Sequence, residues 1–235
     1  LSGGKPTGFK LCVGHEWEFL AVCKAMVKTG IYPDFIVVDG KEGGTGAAPL
    51  EFLDHLGKPL REGLSFVHNA LIGIGARERI RIGASGKIAT AFDIARAFAL
   101  GADWCNSARG FMFAIGCIQS RSCHTDHCPT GVATQDRLRQ GALNPMDKSE
   151  RVYRFHHETL LAFAEMCAAA GIRDHEAITE DLILRRDTQT KLTPLGDQLM
   201  KIPAGALLTA QAEQILDSQM HGLGKQWSLA QASAW

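Results

Sequence analysis

The 235-residue chain carries no excess charge of either sign, with 25 Lys and Arg against 25 Asp and Glu. A protein that neutralises a phosphate backbone carries surplus cations, so nucleic acid is not expected as a partner. Long apolar runs are missing as well. None approaches the roughly 20 residues of a membrane-spanning helix, and no secretory signal pattern opens the chain. No internal repeat is clear enough to use. The seven cysteines are an odd number without a secretory leader, which argues for a reducing compartment, where grouped thiols serve as ligands rather than disulfides. Cytoplasm is the expected location. His15, His55, His68, His156 and His157 lack metal-ligand spacing and read as satisfied or exposed side chains.

What is present is a cluster of three cysteines, Cys117, Cys123 and Cys128, between Gly116 and Gly131. These gaps let one short loop bring three thiolates to a common centre. Thiolates suit zinc or iron–sulfur centres, and a proline directly after the last cysteine also occurs in bacterial iron–sulfur motifs. The spacing does not fit paired zinc knuckles. His124 and His127 lie inside the loop, placed to tune or complete such a site. Cys12 and Cys105 fall in strand-like runs and Cys23 and Cys167 on apolar helix faces, so these four read as core.

Four short apolar runs, Phe9 to Val13, Phe35 to Asp39, Ile80 to Ala84 and Ala102 to Asn106, read as buried parallel strands. Phe19, Val22, Cys23, Met26 and Val27 fall at helical spacing after the first, with Gly30 placed to end that helix and Pro33 to prevent its return. Thr90 and Asp93 form a variant capping box for a helix over Ala91 to Leu100. Val152, Phe155, Thr159, Leu160, Phe163, Met166 and Cys167 mark one face of a long helix ending near Gly171. Beyond Asp187 the pattern fades to a short apolar stretch at Ala204 to Leu208, a helix to Gln219 and a weakly patterned end. Four strand–helix units between residues 9 and 106 match the pace of half an eight-fold barrel of roughly 250 residues. Half a barrel leaves two open edges, and the chain starts at Leu1. It is therefore expected to be the C-terminal part of a longer protein, or to be completed by a partner. A complete small doubly wound domain is the structural rival.

The loop after the second strand, from Asp39 to Pro49, holds Gly40, Gly43, Gly44 and Gly46 and lies where parallel sheets place active sites. Ser85, Gly86 and Lys87 follow the third strand, and Ser107, Ala108 and Arg109 the fourth. In eight-fold barrels such paired loops hold phosphate through backbone amides and a cation, with Lys87 and Arg109 as the cations here. Lys10 lies inside an apolar strand, which is costly unless it reaches a pocket or an acid.

With these residues in view, the chain resembles the FMN-binding synthase domain of glutamate synthases, particularly the shorter proteins without a fused amidotransferase domain. The resemblance runs from about Lys10 to Arg186, and rests on Glu42 to Ala47 and on Gly116 to Gln135. It implies strands five to eight of a (β/α)8 TIM barrel, with FMN and a 3Fe-4S cluster. The synthase domain spans residues 1–186, the cluster loop residues 116–131, and a poorly defined extension residues 187–235. The resemblance assigns the cluster to Cys117, Cys123 and Cys128. It places Lys10 beside flavin and substrate as the catalytic residue, Asp39, Gly43, Gly44 and Thr45 near the isoalloxazine, and Ser85, Gly86, Lys87, Ser107, Ala108 and Arg109 at the FMN phosphate. Larger family members usually have glycine where Lys87 stands and Gly-Thr-Ala in place of Ser107 to Arg109, so phosphate here is expected to lean on side-chain charge.

The implied reaction is reduction of 2-iminoglutarate, formed from 2-oxoglutarate and ammonia or glutamine nitrogen, to L-glutamate. Electrons come from ferredoxin or a reductase subunit. The rival functions are a zinc-stabilised interaction module, with Cys117, Cys123, Cys128 and His127 closing the site, a non-redox phosphate-binding barrel enzyme, and a fragment inactive on its own.

Overall fold

A computed structural model describes residues 2–40 and 48–233. The strands are β1 (Gly8–Leu11), β2 (Phe35–Asp39), β3 (Arg81–Ser85), β4 (Trp104–Asn106), β5 (Leu184–Arg186) and β6 (Leu192–Pro194). The helices are α1 (Glu16–Thr29), α2 (Leu50–His55), α3 (Leu60–Gly73), α4 (Ala91–Ala99), α5 (Arg109–Ala114), α6 (Arg137–Gln140), α7 (Pro145–Ala169), α8 (Ala212–Gln219) and α9 (Leu223–Leu229).

The first four strands form one parallel sheet in the order β1-β2-β3-β4, and β5 and β6 form a separate antiparallel pair. Each of the four lies within two residues of an expected strand. A sequential order lacks the reversal that defines a doubly wound sheet and agrees with a segment of an eight-fold barrel. The local signals act as read. Gly30 caps α1 at φ 70°, and Thr90 and Asp93 form the reciprocal capping box of α4.

Alternation along the strands separates two faces. Ile36, Val38, Ile82 and Ala84 are at most 1% exposed and pack into one core with Leu20 and Cys23 of α1 and Leu64, Val67 and Leu71 of α3. Burying side chains of this size contributes about 1.5–3 kcal/mol each. The opposite face carries Lys10, Phe35, Val37, Asp39, Gly83, Ser85, Trp104 and Asn106, none of which joins that core. Its lower half is filled by Phe35 and Trp104, packed edge to face at 5.8 Å. A Cβ on Gly83 would stand 2.5 Å from the Trp104 ring, so glycine is required there.

At the N-terminal end of the sheet, charged groups act as fasteners. Arg77 donates through Nε to His68 Nδ1 (3.0 Å), through one terminal nitrogen to the Ile80 carbonyl (3.1 Å), and through the other to the Gly101 carbonyl and Asp103 Oδ2, both at 2.9 Å. Asp103 also accepts from Arg81 and from the Ile82 N–H. Burial alone would raise the Asp103 pKa, but these donors outweigh it and hold the carboxyl below its ordinary value. Burial, with the Arg77 charge beside it, pushes the His68 pKa down to about 4.

Three regions depart from the sequence reading. α3 supplies nine buried residues; the strand–helix repeat calls for a helix after the second strand, but no periodic stripe marks its residues. α7 has no buried residue, and Leu160 on its expected core face is 47% exposed; it touches α4 and α5 through Phe163 on Phe98 and Phe155 on Phe111. The C-terminal extension enters the main core through Leu207 of the expected apolar stretch, Leu216 of the expected helix to Gln219, and Leu223 of the weakly patterned end. Lys24 fastens it by donating to the carbonyls of Trp227 (2.6 Å) and Ala230 (2.8 Å). Of the four cysteines read as core, Cys23 is fully buried, whereas Cys12, Cys105 and Cys167 are half-buried.

Candidate functional site

The polar residues of the uncovered sheet face collect at its C-terminal rim. Lys10 stands in register with Val37, so Asp39 lies two residues further along the neighbouring strand with its side chain on the same face. The Lys10 Nζ to Asp39 Oδ2 distance is 2.6 Å, with side chains 55% and 20% exposed. This ion pair answers why a lysine is tolerated in the strand. Asp39 is in register with Ser85, and Ser85 with Asn106, so these three form one row across β2, β3 and β4, and Lys10, one step back on β1, reaches it through the ion pair. Asn106 was not singled out as a site residue; its signal is its position as the last residue of a strand, in step with Ser85.

The loops after β2, β3 and β4 are tied together directly above this row. The Gly40 N–H donates to the Ser85 carbonyl at 2.8 Å, and Ser107 Oγ donates to the Ile88 carbonyl at 2.8 Å. Gly86 (φ 101°) and Lys87 (φ 58°) both take left-handed backbone conformations, natural for the glycine and unusual for the lysine. Lys87 is exposed and lines a 300 Å³ cavity with Arg61 and Arg96. Arg109 opens α5 behind Ala108, is half-buried, and makes no ion pair among the described residues. A Cβ on Gly110 would stand 2.7 Å from Ser107 Oγ and 2.8 Å from the Phe155 ring, which keeps that turn glycine. The structure therefore draws Lys10, Asp39, Ser85, Gly86 and Ser107 to one rim. Gly43, Gly44 and Thr45 lie outside the described residues.

The cysteine loop is arranged differently. Cys128 is 4% exposed. Burial alone would raise its pKa, but the Thr130 hydroxyl and the backbone N–H groups of Ala133, Thr130 and Val132 outweigh it and bring it down to about 7. The surrounding turn is fixed by Thr134 Oγ1 donating to the Asp126 carbonyl (2.5 Å) and by Gln135 N–H and Gln140 Nε2, each at 2.6 Å from its acceptor. Cys117 and Cys123 are half-buried, and between them Gln119 and Arg121 adopt φ of 55° and 58°. His124 and His127 are exposed. Among the described residues, no three His, Cys, Asp or Glu side chains come together as a metal-binding group. As placed, the three thiols do not form a cluster cage.

A sequential parallel sheet with polar groups on its C-terminal rim defines the class: an α/β domain whose four-stranded parallel sheet is compatible with part of a β/α barrel. The family defined by the conserved region in glutamate synthase matches residues 1–173, and the chain belongs to that family. It is 42% identical over 184 residues to the glutamate synthase large subunit-like protein YerD of Bacillus subtilis, covering 78% of this chain and 35% of that protein. It is 35% identical over 174 residues to the archaeal glutamate synthase [NADPH] of Methanocaldococcus jannaschii, covering 74% of this chain and 33% of that one. Against ferredoxin-dependent glutamate synthase 2 of Synechocystis the figures are 34% identity over 161 residues, 68% and 10%. The chain thus spans about a third or less of the length of these relatives. Among the described residues no helix is long and apolar enough to cross a membrane.

Proposed function

We propose that this chain supplies the fifth to eighth strands of a TIM barrel in a glutamate synthase-like oxidoreductase that binds FMN and reduces 2-iminoglutarate to L-glutamate. The observation that carries the reading is the register row of Asp39, Ser85 and Asn106, with Lys10 paired to Asp39, on one sheet face below loops joined by the Ser107 to Ile88 hydrogen bond. The remaining strands come from outside this chain, and the synthase domain occupies residues 1–186, followed by an extension over 187–235.

The rim fits a flavin phosphate. Two adjacent loops meet above a buried Ser85, one turns at Gly86 in a left-handed conformation, and Lys87 and Arg109 add positive charge. Ser85, Gly86, Lys87, Ser107, Ala108 and Arg109 hold the phosphate in this reading, and Gly43, Gly44 and Thr45 lie beside the ring system. FMN supplies a hydride to the imine carbon when bound. 2-Oxoglutarate and ammonia condense to 2-iminoglutarate and water, and one hydride and one proton complete the amine. Lys10 supplies positive charge for the carboxylates, and the closed barrel keeps water from the imine.

The three-iron cluster assigned to Cys117, Cys123 and Cys128 stands on the sequence motif, since the three thiols do not come together as a metal-binding group among the described residues. Ferredoxin or a reductase subunit is the proposed electron source and the cytoplasm the proposed location. The test is glutamate formation by the full-length protein with dithionite, 2-oxoglutarate and either ammonia or glutamine. Flavin-dependent glutamate is expected; none with either nitrogen source would contradict the proposal.

A further inference from the structure

We infer that Asp39 is a positioning residue for Lys10: it holds the ammonium on the rim, with its unused N–H donors free for an incoming carboxylate. This inference rests on the reading of the rim as the substrate-facing site.

The two partners differ in freedom. Asp39 sits on an interior strand between β1 and β3, is 20% exposed, and is followed by Gly40, whose N–H is bonded to Ser85. Lys10 sits on β1, at one edge of the described sheet, and is 55% exposed. A lysine so placed would otherwise spread over many rotamers and extend into water. The carboxylate is the fixed member and the ammonium the one being held. An ammonium has three donors, and the bond to Asp39 engages one. The pair has another consequence: Asp39 offsets the Lys10 charge, so the ammonium is set to act through the direction of its donors more than through its bare charge. Discrimination then falls on a ligand that fits the donors Asp39 has aimed.

Two measurements on the full-length protein test this. The first needs no assumption about the reaction: the rate of Lys10 acylation by acetic anhydride, followed by mass spectrometry. Asp39→Ala is expected to raise that rate about two- to five-fold, the range for losing a partly exposed ion pair, while Asp39→Glu stays near wild type. An unchanged rate in Asp39→Ala would overturn the pairing. The second is a double-mutant cycle on glutamate formation. Asp39→Ala is expected to lower kcat roughly ten- to a hundred-fold, as misplacement of a charge near the reacting centre does, with KM for 2-oxoglutarate moved less. Added to Lys10→Ala, it is expected to cost nothing further. Fully additive losses would show that Asp39 acts independently and sink the inference. A wild-type protein without glutamate synthesis would sink the functional reading alone, and the acylation rates would still decide the pairing.

Discussion

The two ends of the same parallel sheet use similar residues to opposite purposes. At the N-terminal end, Arg77 has all its donor nitrogens bound to His68, two carbonyls and Asp103, and Asp103 accepts from three groups. At the C-terminal rim, Lys10 meets Asp39, Asn106 is exposed, and Arg109 has no ion-pair partner among the described residues. A network with most of its donors engaged fixes one geometry and has little left to offer a ligand. An unsaturated one has the capacity that binding requires. The contrast separates structural from functional charge without reference to residue type.

If this contrast is right, substitutions at the two ends have separable effects. Arg77→Met leaves Asp103 and His68 without their main partner, and is expected to cost about 4 kcal/mol of stability, as breaking a largely buried pair does. Urea unfolding would show this, with flavin affinity in the remaining folded protein unchanged. Lys10→Ala is expected to lower kcat by about 10²–10³-fold, the range for removing one electrostatic stabiliser, while the unfolding midpoint stays in place.

Acid sharpens the same division. His68 is neutral in the fold, with its pKa down to about 4 against an ordinary value near 6.5. The unfolded chain therefore binds the extra proton first. Stability is full above about pH 7 and falls as pH drops from about 6.5 toward 4, by up to about 3 kcal/mol. Asp103, held below its ordinary pKa, adds a further loss only when pH falls through its own lower range. His68→Gln should flatten the upper part of that profile in urea titrations at successive pH values; an unchanged slope would remove His68 from the account. The smallest effect is expected at Arg109→Ala, about ten-fold weaker FMN binding with iron content unaltered, read by flavin fluorescence.

The sheet was legible because each strand is a short apolar run closed by turn residues, and because Gly30 and the Thr90–Asp93 box act locally. α3 was not, because its register is diluted by Gly63, Ser65 and Asn69, its buried residues surround more than one face, and Pro59 offers no side-chain cap. The Arg77, His68 and Asp103 network joins positions up to 35 residues apart, and periodicity carries no trace of such a pairing. Core contributions after residue 194 come from short turns carrying Leu195, Met200, Ile202 and Leu207 and from two short helices, α8 and α9, each too brief for a long periodic stripe. At the site, Lys10 announced itself as a charge in an apolar strand, while its acceptor became clear only from the β1–β2 register. Asn106 needed the β3–β4 register in the same way.

The most direct test is an anaerobic absorbance spectrum of the full-length protein with iron, sulfide, zinc and flavin analysis. The account predicts bound FMN together with iron and sulfide. Zinc without flavin would contradict it and leave a zinc-stabilised interaction module as the better description.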